Sequence, residues 1–93
     1  MYYLKHEKQG LIKIENGLKI GRKNADILFR NDEFMSSTHC QFRIVKGKLY
    51  IIDLSSKNGT IINAEKVAPE VEYLIMPGTS LEVGDQKFQI IQK

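Results

Sequence analysis

The chain has 93 residues, 42% of them apolar and 27% charged, which allows one folded domain around one core and excludes a substrate domain beside a cofactor domain. Its 14 Lys and Arg against 11 Asp and Glu leave a formal charge of +3, a mild bias toward anionic partners without the dense basic stripe of a nucleic-acid binder. No run approaches the ~18 apolar residues that span a bilayer, and the amino terminus lacks the basic start, apolar stretch and cleavage site of a secretory signal. The single Cys40 can form no internal disulfide and lies in the apolar run His39 to Ile44, so it reads as a small buried hydrophobe in a reducing, cytoplasmic setting. The expectation is one domain, residues 1–93, excised from a longer regulatory protein.

In chain order, His6 has no partner pattern and is expected at the surface. Leu11 to Ile14 and Leu18 to Ile20 then alternate apolar with polar residues, the period-2 mark of a half-buried strand. After the polar loop Asn31 to Thr38, Cys40 to Ile44 alternates again. Phe42-Arg43-Ile44-Val45, the turn Lys46-Gly47-Lys48 and Leu49-Tyr50-Ile51-Ile52 predict a hairpin in the core of a sheet. A second polar loop, Leu54 to Thr60, leads into a strand restart at Thr60, Ile62 and Asn63, and Leu81 to Val83 and Lys87 to Ile90 close the series. Helical spacing is scarce, and turns at Glu15-Asn16-Gly17, Lys57-Asn58-Gly59, Pro77-Gly78 and Gly84-Asp85 punctuate the strands. All-β architecture, an antiparallel sandwich or barrel, is the reading.

Because His39 begins the first hairpin strand and Asp53 ends the second, the loops before His39 and after Asp53 must emerge at one end of the hairpin. That end collects the hydroxyls of Ser36, Ser37, Thr38, Ser55 and Ser56, the Asn58 amide, the Lys57 ammonium and the N–H groups of a glycine turn. Such a set is receptive to an anion held on a rigid scaffold. Asp53 and the Ser55-Ser56 pair are expected to close the loop on its own backbone N–H groups.

Taken in order, Ile20-Gly21-Arg22, Asp26-Ile27, Ser36-Ser37-Thr38-His39 and Asp53-Leu54-Ser55-Ser56-Lys57-Asn58-Gly59-Thr60, followed by Ile62-Asn63, resemble the signature of the forkhead-associated (FHA) domain family. Each motif alone is weak; the order and spacing together are specific, and they span about Leu18 to Phe88. The resemblance implies an antiparallel β-sandwich of about ten to eleven short strands. It also implies that Arg22 and Ser36 bind the phosphate of a phosphothreonine, helped by Ser37 and Lys57, while the Asn58 amide bonds the peptide backbone beside it. Gly21, His39 and Gly59 would support the site: His39 by holding the Ser36 loop, Gly59 by supplying the positive φ of an Asn-Gly turn. Arg30, Asn31, Glu33, Phe34 and Lys57 are candidates for reading residues beyond the phosphothreonine. Two departures stand out. Ser37 replaces a commonly longer side chain, and Ala64 stands where a glycine often follows the asparagine.

The implied partner is a phosphothreonine-bearing protein, in trans or the protein's own tail, and hence a Ser/Thr kinase. No cofactor, metal, nucleic acid or membrane is implied. The alternative is an FHA-like domain that binds a protein or itself independently of phosphate. A hydrolase using Ser36 as nucleophile and His39 as base is disfavoured, since the sequence offers no orienting acid and no nucleophile elbow.

Overall fold

A computed structural model describes residues 1–93. Eleven strands follow one another: β1 Tyr2–His6, β2 Gly10–Lys13, β3 Lys19–Gly21, β4 Ile27–Leu28, β5 Cys40–Val45, β6 Lys48–Asp53, β7 Thr60–Ile62, β8 Glu65–Lys66, β9 Glu72–Ile75, β10 Ser80–Val83 and β11 Gln86–Gln92. They form two sheets, ordered β2-β1-β11-β10-β7-β8 and β4-β3-β5-β6-β9. There is no helix, and so none long and apolar enough to cross a membrane.

The alternation that marks the strands also builds the core. Leu4, Phe42, Leu49, Ile51, Leu81, Val83, Phe88 and Ile90 all point inward at every second position and meet between the sheets. Burying such side chains is the main force holding two sheets face to face. Cys40 joins this core fully buried, as expected.

The predicted hairpin is present, with β5 and β6 paired from Cys40↔Asp53 to Val45↔Lys48. Its turn places Lys46 at φ 52° and Gly47 at φ 77°, the two left-handed residues that match the twist of the flanking strands. Tyr2 donates its hydroxyl to the Gly47 carbonyl at 2.8 Å, and Lys93 N–H bonds the Met1 carbonyl. Both termini therefore sit at the turn end of the hairpin, and His39 and Asp53 at the other.

The antiparallel sandwich expected from the sequence is present, with one local exception: β3 and β4 pair in parallel, with Ile20 opposite Ile27. Asp26 is the cause: its N–H and its carboxylate bond the Lys19 carbonyl and N–H, returning the chain to the start of β3 before β4 sets out beside it. One expectation needs correction: His6 is not at the surface. It follows Tyr2 and Leu4 on the inward face of β1, is only 7% exposed, and packs its ring 5.3 Å from Phe29 and 5.1 Å from Phe88.

The departure at Ala64 carries a stability prediction. Ile62 pairs with Glu65 across a two-residue turn in which Asn63 has φ 49° and Ala64 φ 68°. A β-carbon in the left-handed region costs about 1–2 kcal/mol, partly offset by the greater unfolded-state freedom of glycine. Ala64→Gly is expected to stabilise the domain by about 1 kcal/mol, raising Tm by about 4–8 °C in a thermal melt. A lower Tm would show that the turn is not under this strain.

Candidate functional site

Three segments converge at the His39 and Asp53 end: the residues after β3, the long β4–β5 loop and the β6–β7 loop. Gly21, at the end of β3, lets two of them touch. A β-carbon there would lie 2.9 Å from the Ser37 carbonyl carbon and 3.0 Å from the Thr38 Cα. Behind that contact Arg22 N–H bonds the Ser36 carbonyl at 2.9 Å, and the N–H groups of Lys23 and Asn24 bond the Ser37 carbonyl. The glycine is required by close approach of backbone to backbone.

The buried His39 ring ties the other two segments together. Its Nδ1 accepts the Ser36 N–H at 3.1 Å, so the ring proton sits on Nε2, which donates to the Gly59 carbonyl at 2.8 Å. Asp53 Oδ1 lies 3.9 Å from that nitrogen, too far to take the proton. The histidine thus holds the loop and leaves the Ser36 hydroxyl to others. Ser36 Oγ accepts the Lys57 N–H at 2.9 Å, which leaves its own proton to donate outward. Ser36 and His39 therefore do not stand as nucleophile and base.

Below them Asp53, 2% exposed, accepts the Ser56 N–H at 3.0 Å, the Ser56 hydroxyl at 2.6 Å and the Thr60 hydroxyl at 2.7 Å. Ser56 Oγ in turn accepts the Gly59 N–H. Gly59 adopts φ 84°, the positive value expected of it. The loop-closing roles read for Asp53 and Ser56 are thus present, while the Ser55 hydroxyl donates to Glu70 at 2.8 Å. Burial, and secondarily the charge of Asp53, push the Cys40 thiol far above the ordinary thiol range, so it offers no nucleophile here.

The five residues read from the sequence as phosphopeptide contacts, Arg22, Ser36, Ser37, Lys57 and Asn58, line one cleft of about 340 Å³ with Glu33, Phe34 and Met35. Asn58 reaches it by donating one amide hydrogen to the Phe34 carbonyl at 2.9 Å, which fixes the group with its oxygen and second hydrogen to spare. Lys57 and Ser37 are exposed, and the Lys57 ammonium has no carboxylate partner. The Arg22 Nε is buried with no hydrogen-bond partner at all. A buried donor left unpaired is costly, and such groups are few in a folded domain.

A model of the FHA domain matches residues 18–84, which takes in every one of these segments. The chain belongs to the FHA domain family. It is 31% identical over 71 residues to the oxoglutarate dehydrogenase inhibitor of Corynebacterium efficiens, a match covering 76% of this chain and 46% of that protein. It is equally 31% identical to the glycogen accumulation regulator GarA of Mycolicibacterium smegmatis, over 76% of this chain and 42% of the relative. The chain thus spans about half the length of the curated relatives it matches. Among solved structures, the N-terminal FHA domain of Rad53p from S. cerevisiae, in complex with a phosphothreonine peptide, superposes with a TM-score of 0.87. That match has 19% identity and covers 99% of this chain and 93% of the other.

One residue that positions the site escaped sequence reasoning. Asp32, buried in the β4–β5 loop, accepts the Phe34 N–H at 3.0 Å, the Asp85 N–H at 2.8 Å and the Gln86 amide at 3.1 Å. Gln86 is held by His6, whose Nδ1 takes the N–H groups of Lys8 and Gln9 and whose Nε2 donates to the Gln86 oxygen at 2.9 Å. This chain of bonds fixes the loop carrying Phe34 and Ser36 to the opposite sheet. The available signal was the Gly84-Asp85 turn, where a β-carbon on Gly84 would lie 2.8 Å from the Asp32 carboxylate.

Proposed function

We propose that this FHA domain is a phosphothreonine-peptide-binding module that recognises a kinase-phosphorylated partner, or a phosphorylated segment of its own protein, and so docks or switches an effector. Arg22 and Ser36 hold the phosphate, Ser37 and Lys57 assist, and Asn58 fixes the peptide backbone. The observation that carries this reading is that all five residues line one cleft, with no side-chain hydrogen bond inside the domain engaging the Arg22 Nε. A phosphothreonine brings a charge of about −1.5 to −2 and three strong acceptor oxygens, which match a guanidinium fork, a free hydroxyl proton and an unpaired ammonium. The relatives, an inhibitor and a regulator by name, fit a binding role. The chemistry needs no catalysis, metal or nucleotide, and a ligand made by a Ser/Thr kinase fits a cytoplasmic domain.

The test is calorimetric titration of the purified chain with a degenerate phosphothreonine peptide pool beside its unphosphorylated and phosphoserine counterparts. Heat of binding is expected only with phosphorylated peptides, strongest with phosphothreonine, and is lost on phosphatase treatment. Equal binding of treated and untreated pools would replace this reading with phosphate-independent association.

A further inference from the structure

Arg22 borders two hollows. One is the cleft shared with Ser36 and Asn58; the other, about 230 Å³, is lined by Arg22, Lys23 and Arg30 alone. No carboxylate lines it. The only ion pairs in the domain are Lys13–Glu15 and Arg43–Glu72, with His39 and Asp53 the only other close approach, so none of the three cations is neutralised. Asp26, close by in sequence, spends its carboxylate on the Lys19 N–H at 2.9 Å.

The three cations are gathered by backbone. Arg22 and Lys23 follow β3 and bond the Ser36 and Ser37 carbonyls through their N–H groups. Arg30 is brought alongside by β4, where Leu28 pairs with Gly21 and Phe29 N–H bonds the Gly21 carbonyl at 3.0 Å. Like charges held around one hollow repel, and an anion placed among them relieves that repulsion. A phosphate in the first cleft engages Arg22 and Lys57. Lys23 and Arg30, which line the second hollow with Arg22, then remain uncompensated.

Resting on the phosphothreonine reading, we propose that this hollow is a second anion subsite, which receives another anionic group, carboxylate or phosphate, from the same phosphothreonine peptide. The ligand class is then a peptide carrying a second negative charge near its phosphothreonine. Arg22 stands between the two subsites and contributes to both.

The experiment is fluorescence anisotropy with three peptide series around one phosphothreonine: neutral flanks, an aspartate moved through each flanking position, and a second phosphoresidue moved likewise. Each is titrated against the native chain and the Lys23→Ala/Arg30→Ala double variant. At one position or more the added anion is expected to tighten binding to the native chain by about three- to tenfold, as one or two partly exposed charge pairs provide. In the double variant that ratio is expected to fall to about one. A gain in the phosphate series alone identifies doubly phosphorylated ligands; a gain in both series identifies acidic ones as well. No gain at any position, or a gain equal in the double variant, overturns the subsite while neutral-flank binding leaves the phosphothreonine reading standing. Absence of binding by every phosphorylated peptide overturns both.

Discussion

Arg22→Ala is expected to weaken binding of a phosphothreonine peptide by about 100-fold or more while leaving the domain as stable as before. The two halves of this outcome share one cause. In the free domain the buried Nε of Arg22 has no partner, so its removal sacrifices no side-chain hydrogen bond and relieves a desolvation cost. In the complex the guanidinium would supply paired, charge-assisted bonds to phosphate, the strongest in the site. Truncating such a partner typically costs about 2–5 kcal/mol, and about 1.4 kcal/mol corresponds to tenfold in affinity. Calorimetry with one phosphopeptide and a thermal melt of the same samples read both quantities. Arg22→Lys separates charge from geometry: it keeps a cation but not the planar fork, so its affinity should fall between the two. Unchanged affinity in Arg22→Ala would remove Arg22 from the site and with it the observation on which the proposed function rests.

What the sequence disclosed and what it hid divide along the range of the interactions. The β5–β6 hairpin was legible because alternation and the Lys46-Gly47 turn are local. Ser36, Ser37, Lys57 and Asn58 lie in the two loops that flank that hairpin, whose register brings both to one end, while Arg22 follows β3; the family resemblance is what marked all five as contacts. Strand β1 was hidden because His6, a polar residue, occupies an inward position, and its satisfaction depends on Gln86, 80 residues away. Asp32 was hidden for the same reason: its partners Asp85 and Gln86 lie 53 and 54 residues on. Strand β9 was obscured differently, since Leu74 is half-exposed beside buried Ile75, and adjacent apolar residues mask the period of two. The buried polar groups that tie the site to the opposite sheet, His6 and Asp32, are thus satisfied by partners that no sequence window contains, whereas the residues that line the cleft sit in compact motifs.

His39 combines the two cases, a motif residue whose role is purely internal, and it carries the largest expected effect on stability. Its ring is fully buried and bonded at both nitrogens, to the Ser36 N–H and the Gly59 carbonyl. His39→Ala leaves two backbone groups unpaired, at about 1–3 kcal/mol each, and opens a cavity besides. The sum, about 3–5 kcal/mol, is a large share of the roughly 5–15 kcal/mol that holds a domain of this size together. A fall in Tm of about 15–30 °C is expected in calorimetry. His39→Phe restores ring volume without either hydrogen bond, so the loss that remains in it measures the two bonds alone. At a temperature where both variants stay folded, phosphopeptide affinity should also drop about tenfold, because the ring no longer fixes Ser36 against Lys57 and Asn58 beside Gly59. Native affinity in a strongly destabilised His39→Phe would show that the loops keep their arrangement without the histidine, and that Gly21 and Asp53 suffice to position the cleft.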